Sequence, residues 1–148
     1  MYFIDRKKLE HRLVYIEELI TYLQSIQELS ADLEQRLAIE RAIHMSIEAI
    51  LDVGNHMIDG FIMRDPGSYE DIIDILMDEQ VVDQENGKKL VRWVQLRKQL
   101  VTQYELVKLE ELWEVYLDIR SALEQFPSNV RTYLHEQLGP VSAFIPGE

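Results

Sequence analysis

The stretch Ile39-Glu-Arg-Ala-Ile43-His-Met-Ser-Ile47-Glu-Ala-Ile50-Leu-Asp-Val-Gly54-Asn-His-Met57-Ile-Asp-Gly-Phe61 decides the fold. Its numbered residues return every three or four positions, which lines them along one side of an α-helix and leaves no strand-like alternation. Ser30 is the expected cap of this helix, because a hydroxyl just ahead of an apolar-periodic run satisfies free N–H groups of the first turn.

Working outward, Leu9, Leu13, Ile16, Ile20 and Leu23 form the same kind of stripe on a preceding helix, with Asp5 as its cap. Downstream, Asp65-Pro-Gly67 breaks the chain, and Ser68 with Asp71 forms a capping-box pattern that opens a short helix to about Met77. Asp83 caps a fourth helix that tolerates Gly87 in its first turn and carries its pattern from Leu90 to Tyr104. Leu109, Leu112, Val115 or Tyr116, Ile119 and Leu123 mark a fifth, which Pro127 is expected to stop. A sixth, short helix is expected over residues 128–138, closed by Gly139 with Pro140 behind it. The expectation is an all-α antiparallel bundle of five or six helices, one domain over residues 1–148, with an extended tail from about residue 139.

Composition agrees with helices and removes several kinds of chemistry. Six Gly and four Pro in 148 residues fall well below the roughly 12% usual for proteins. Without cysteine there is no thiol nucleophile, disulfide or Cys-ligated zinc. Charge appears by Asp5, and no apolar run approaches the ~18 residues of a bilayer span, so a cytoplasmic protein without membrane contact is expected. A net charge of −12 argues against indiscriminate coating of nucleic acid, so any phosphate site must be local. One such locality exists. Residues 65–85 hold eight acidic side chains and no basic one, whereas residues 86–104 hold five basic ones (Lys88, Lys89, Arg92, Arg97 and Lys98) and no acidic one. Either the acidic helix screens the basic one, or the basic helix offers a phosphate site.

Within that helix, Leu90, Val94, Arg97, Val101 and Tyr104 set a permanent charge in an apolar stripe. Its planar fork suits a carboxylate or a phosphate; Asp52 or Asp59 are candidate internal acceptors, and Tyr104, two turns on, is expected on the same face. Glu40, His44, Glu48 and Asp52 form a polar line at four-residue steps, followed by Asn55, His56 and Asp59. The Glu-x-x-His copies of di-metal bundles are missing, so no metal is expected; Glu40 and Glu48 read as a solvated or helix-facing seam, with Asp52, Asn55 and His56 open. Asp71-x-x-Asp74 and Glu111-x-x-Glu114 resemble fragments of all-α nucleotide pyrophosphatases, a metal-dependent alternative. Trp93, Trp113 and Tyr116 read as core or interface.

The segments Ile50-Leu-Asp-Val-Gly-Asn-His-Met-Ile-Asp59 and Arg97-Lys-Gln-Leu-Val-Thr-Gln-Tyr104 resemble the HepT-like proteins of the HEPN superfamily, in their YutE-like branch, as do Gly60-Phe-Ile-Met-Arg-Asp-Pro-Gly-Ser-Tyr69 and Leu138-Gly-Pro-Val-Ser-Ala-Phe144. The resemblance implies an all-α homodimer related to ribonuclease toxins, paired with a small MntA-like nucleotidyltransferase antitoxin that adds AMP to a tyrosine. It implies RNA as substrate and no cofactor. The family motif is Arg, four residues, His, one residue, Tyr; Arg97 and Tyr104 match its ends, and Thr102 stands at the histidine position. By that analogy Arg97 stabilises the phosphorane, Tyr104 accepts AMP, and Lys88, Arg92 and Lys98 contact RNA, with Asp52, Asn55 and His56 as a supporting layer. Thr does not titrate near neutrality, and losing general acid–base help costs about 10²–10⁴ in rate. Catalysis is therefore expected to be weakened or lost, unless His56 or His44 reaches the cleft in its place. A non-catalytic dimeric binding module is the alternative that Thr102 favours.

Overall fold

The computed structural model describes residues 4–139. It contains α1 (Arg6–Gln24), α2 (Leu33–Gly60), α3 (Tyr69–Asp78), α4 (Gln84–Thr102) and α5 (Leu109–Leu138), with a 3-10 turn at Tyr104–Leu106. No strand occurs among the described residues. The segment from Pro140 onward, including most of the expected tail, lies outside them.

Local chemistry explains most boundaries. Asp5 accepts from the Lys8 amide at 3.0 Å, Ser68 from Asp71 at 3.0 Å, and Asp83 from Asn86 at 2.7 Å, so three expected caps form. Asp32, not Ser30, caps α2 by accepting from the Glu34 amide at 3.0 Å. Ser30 lies two residues earlier, where its hydroxyl oxygen accepts from the Asp32 amide at 3.3 Å and shapes the approach to the helix. The end of α2 carries the longer-range bond of a Schellman turn, Met63 N–H to Ile58 C=O at 2.9 Å.

The expected break at Pro127 does not occur. One helix of 30 residues runs through it, and the sixth helix is the last part of α5. An internal proline costs about 3 kcal/mol. Here Phe126, Pro127 and Val130 are all buried, and burial of each large apolar side chain contributes about 1.5–3 kcal/mol, so packing wins over the lost hydrogen bond. Pattern and breaker disagreed, and the core decided.

Cross-helix contacts fix the arrangement. Arg6 donates to the Gly139 carbonyl at 3.1 Å and Gln24 to Glu124 at 2.9 Å, so α1 and α5 run antiparallel. Asn86–Gln125 at 3.0 Å and Arg92–Asp118 at 3.0 Å make α4 and α5 antiparallel too. The apolar stripes of all five helices close into one cluster, with Trp93 and Tyr116 buried at its centre. The short α3 fills the angle between α2 and α4 because two glycines let it approach. A Cβ at Gly54 would lie 2.5 Å from Ile72 Cγ2, and one at Gly87 2.1 Å from Met77 Sδ. This seat brings the first residue of α3, Tyr69, up to α4.

Candidate functional site

Where α2, α3 and α4 meet, a half-buried polar group interrupts the apolar packing. Trp93 Nε1 donates to Ser46 Oγ at 2.9 Å, and that hydroxyl donates to the Ile43 carbonyl at 2.7 Å, locking α4 against α2 in the buried interior. One turn further along α4, Arg97 Nε donates to Glu48 Oε1 at 2.5 Å. The same oxygen lies 3.3 Å from His44 Nε2, and the Arg97 guanidinium carbon lies 4.3 Å from the centroid of the Tyr69 ring. Glu48 and Tyr69 thus hold the arginine from its edge and its face.

The acceptor of Arg97 is therefore Glu48, and neither Asp52 nor Asp59 fills that role. The register between two crossing helices set this choice, one turn before Asp52 and about three before Asp59. The polar line on α2 is divided three ways. Glu40 pairs with Arg36 at 2.8 Å, His44 and Glu48 meet Arg97, and Asp52 turns to another side of the bundle.

Arg97 offers five N–H donors, of which Glu48 takes one. Its terminal nitrogens make no hydrogen bond or ion pair among the described residues. The side chains of Arg97 and Glu48 are 25% and 27% exposed, so the pair is neither sealed nor fully solvated. An oriented guanidinium whose terminal nitrogens keep their donors is suited to a bidentate anion such as a phosphodiester.

The other motif positions lie at the end of α4 or beyond it. Thr102 is the last helical residue, exposed, and donates its hydroxyl to the Lys98 carbonyl at 2.6 Å. Tyr104 is not on the face of α4 shared with Arg97, as uninterrupted helical spacing implied; Gln103 ends the helix and Tyr104 begins the 3-10 turn, 65% exposed. The ring that contacts Arg97 belongs to Tyr69, which spacing gave no reason to choose.

The basic island is spread around its helix. Lys88 stands nine residues before Arg97, about half a turn away on a helical wheel. Arg92 is paired with Asp118, and Lys89 with Glu85 at 3.7 Å. Lys98 is exposed and adjacent to Arg97 in the chain, but projects about 100° away. The acidic segment meets a different cation: Arg64 bonds Asp71 at 2.8 and 3.0 Å and Asp78 at 3.4 Å. Arg64, aided by the Gly67 amide, holds the Asp71 carboxyl below its ordinary range. That leaves Asp71 occupied as a clasp for the α2–α3 loop.

Asp52, Asn55 and His56 line a separate shallow cleft of about 250 Å³ with Lys8, Arg12 and Asp59. There His56 Nε2 accepts the Asp5 amide proton at 3.2 Å; burial, with Lys8 nearby, moves its pKa below the ordinary imidazole value. These three residues face α1, and the contacts of Arg97 do not include them. Among the described residues, no group of three or more His, Asp or Glu side chains is gathered to hold a metal ion, and no helix is long and apolar enough to cross a membrane.

The chain is similar to known proteins along nearly its whole length. The YutE protein of Bacillus subtilis (strain 168), a provisionally assigned RNase, is 47% identical over 144 residues, covering 97% of this chain and 99% of the relative. The solved structure of YutE, described as a cytosolic protein, superposes with a TM-score of 0.92 over 97% of this chain and all of that one. A toxin–antitoxin complex with AMP-PNP matches at a TM-score of 0.75 and 19% identity, over 84% of this chain and 97% of the matched chain. A tri-AMPylated Shewanella oneidensis HEPN toxin in complex with an MNT antitoxin matches at 0.74 and 20%, over 84% and 96%. At such identities the last two likenesses speak for the fold alone. The model of the family described as ribonuclease HepT-like matches residues 12–130, and with YutE aligned along nearly its whole length, the chain belongs to that family.

Proposed function

We propose that the chain is a toxin-type endoribonuclease that cleaves RNA phosphodiesters without a metal, works as a homodimer, and is controlled by an MntA-like nucleotidyltransferase antitoxin that AMPylates Tyr104. The observation that carries this reading is the state of Arg97: gripped at Nε by Glu48 and on its face by Tyr69, with its terminal nitrogens open. A guanidinium fixed before substrate arrives stabilises charge that develops on a phosphorane without reorganising, a contribution typically worth about 10²–10³ in rate.

The surroundings fit a second copy. Val101, Tyr104 and Leu106 are 40%, 65% and 63% exposed, a concentration of apolar surface beside a candidate site. Lys98 is the basic residue of the island best placed to add a phosphate contact, with Lys88 and Arg92 serving a longer RNA around the helix. Exposure of Tyr104 leaves its hydroxyl accessible to a transferase. AMP there would add bulk and a phosphodiester negative charge just past the helix that carries Arg97.

Purified protein, with chelator present, is expected to cleave single-stranded RNA, and Arg97→Ala to reduce the rate by about 10²–10³. Absence of Arg97-dependent cleavage would remove the enzymatic reading. AMP incorporation by the cognate transferase is expected to vanish in Tyr104→Phe; equal stoichiometry in that variant would assign the modification elsewhere. A binding module without catalysis is favoured by one observation, the non-titrating Thr102 hydroxyl engaged with Lys98. In that case RNA or partner binding survives while the native chain cleaves nothing.

A further inference from the structure

The ribonuclease reading leaves proton transfer without an agent, because Thr102 occupies the place of the motif histidine and its hydroxyl is bonded to its own helix. The chain has four histidines. His11 and His135 are exposed on α1 and α5, and His56 accepts the Asp5 amide in the α1–α2 cleft. Only His44, among the described residues, meets the carboxylate that holds Arg97.

We infer that His44, supplied by α2, performs the proton transfer that the motif histidine would perform from α4, and that Glu48 is the positioning residue for both His44 and Arg97. The inference rests on the ribonuclease reading and names a further catalytic residue for it. Glu48 Oε1 touches Arg97 Nε and His44 Nε2 together, so one carboxylate sets the distance between the group that binds a phosphate and the group that moves a proton. A carboxylate beside one ring nitrogen leaves the other nitrogen as the proton acceptor, the arrangement by which an acid serves a catalytic histidine. The His44 side chain is 27% exposed, which leaves an approach for substrate.

The reaction balances with this one group. The 2′-hydroxyl oxygen forms a bond to phosphorus as its proton passes to the free nitrogen of His44. The bond from phosphorus to the 5′-oxygen breaks, and the imidazolium returns its proton to that departing oxygen. The products are a 2′,3′-cyclic phosphate and a 5′-hydroxyl, with no metal, oxidant or further reactant consumed.

Cleavage of a single-stranded RNA in chelator is the test, using the full chain and the variants His44→Ala, Arg97→Ala and, as a control, His11→Ala, each checked for its native melting temperature. His44→Ala is expected to lose about 10²–10⁴ in rate, with free imidazole in the buffer restoring part of it, while His11→Ala cleaves like the native chain. If His44→Ala cleaves at the native rate while Arg97→Ala is inactive, this inference is overturned and the ribonuclease reading stands. A loss that imidazole does not relieve gives His44 a packing role only and also overturns it. A native chain that leaves RNA intact overturns both.

Discussion

Two arginines in this bundle stand against carboxylates with similar exposure, Arg97 at 25% and Arg131 at 35%, yet they are used differently. Arg131, on α5, spends every nitrogen on α1: Nε and Nη2 on Glu10 at 2.7 to 3.2 Å, and Nη1 and Nη2 on Glu17 at 2.8 Å. Arg97 spends one nitrogen on Glu48 and rests its face on Tyr69. The first has all three of its nitrogens committed to the fold. The second is held in place with its outer fork open. An arginine opposite a carboxylate is thus not by itself structural or functional; the donors left over decide.

The largest disturbance to this contrast is expected from Gly54→Ala. Its Cβ would meet the buried Ile72, and because both side chains are enclosed, the clash should outweigh alanine's better helix propensity and cost about 1–3 kcal/mol. Since α3 carries Tyr69, cleavage should fall with stability, while the α1–α5 seam, across the bundle, is undisturbed. Denaturant titration beside the cleavage assay checks this; an unchanged midpoint would show that α3 is not seated by that glycine.

Next in size is Arg131→Ala, expected to cost up to about 1 kcal/mol with cleavage unaffected. It should also change the response to acid. Arg131 holds the Glu17 carboxyl below its ordinary value, so the folded pKa is the lower one. Stability from this pair is fully present above the ordinary glutamate pKa and is lost as pH falls through the depressed folded value. Melting curves from pH 6 down to about 3, around the ordinary carboxylate range, should show a shallower acid-side decline in the variant. The smallest expected effect is that of Tyr69→Leu. Losing a cation–π contact worth about 0.5–1 kcal/mol should slow cleavage roughly two- to fivefold. A larger fall would give the Tyr69 ring a direct hand on RNA.

Much of this was readable in the chain, and the omissions have physical causes. Spacing found α1 to α4, three caps and the odd charge at position 97, because periodicity and capping are local properties. Local reasoning failed at Pro127, where the core overrode a breaker, and at Tyr104, where the helix ended before the residue whose face was in question. It also failed to identify Glu48 as the partner of Arg97. That depends on how α2 crosses α4, fixed by the buried Trp93–Ser46 bond rather than by any spacing along α2. Tyr69 was hidden for a similar reason, since only the glycine seat of α3 brings its ring to Arg97. The family motif pointed to Arg97, Thr102 and Tyr104, and the polar line on α2 offered His44 beside His56; the geometry selects His44 with Glu48 and adds Tyr69.

The most direct measurement compares Arg97→Ala and Arg131→Ala in the same metal-free RNA cleavage assay, each with its melting temperature. The account predicts that Arg97→Ala loses about 10²–10³ in rate, whereas Arg131→Ala, although it melts about 2–4 °C lower, cleaves normally. Equal cleavage by the two variants would contradict it, because the open fork of Arg97 would then do nothing that the saturated one does not.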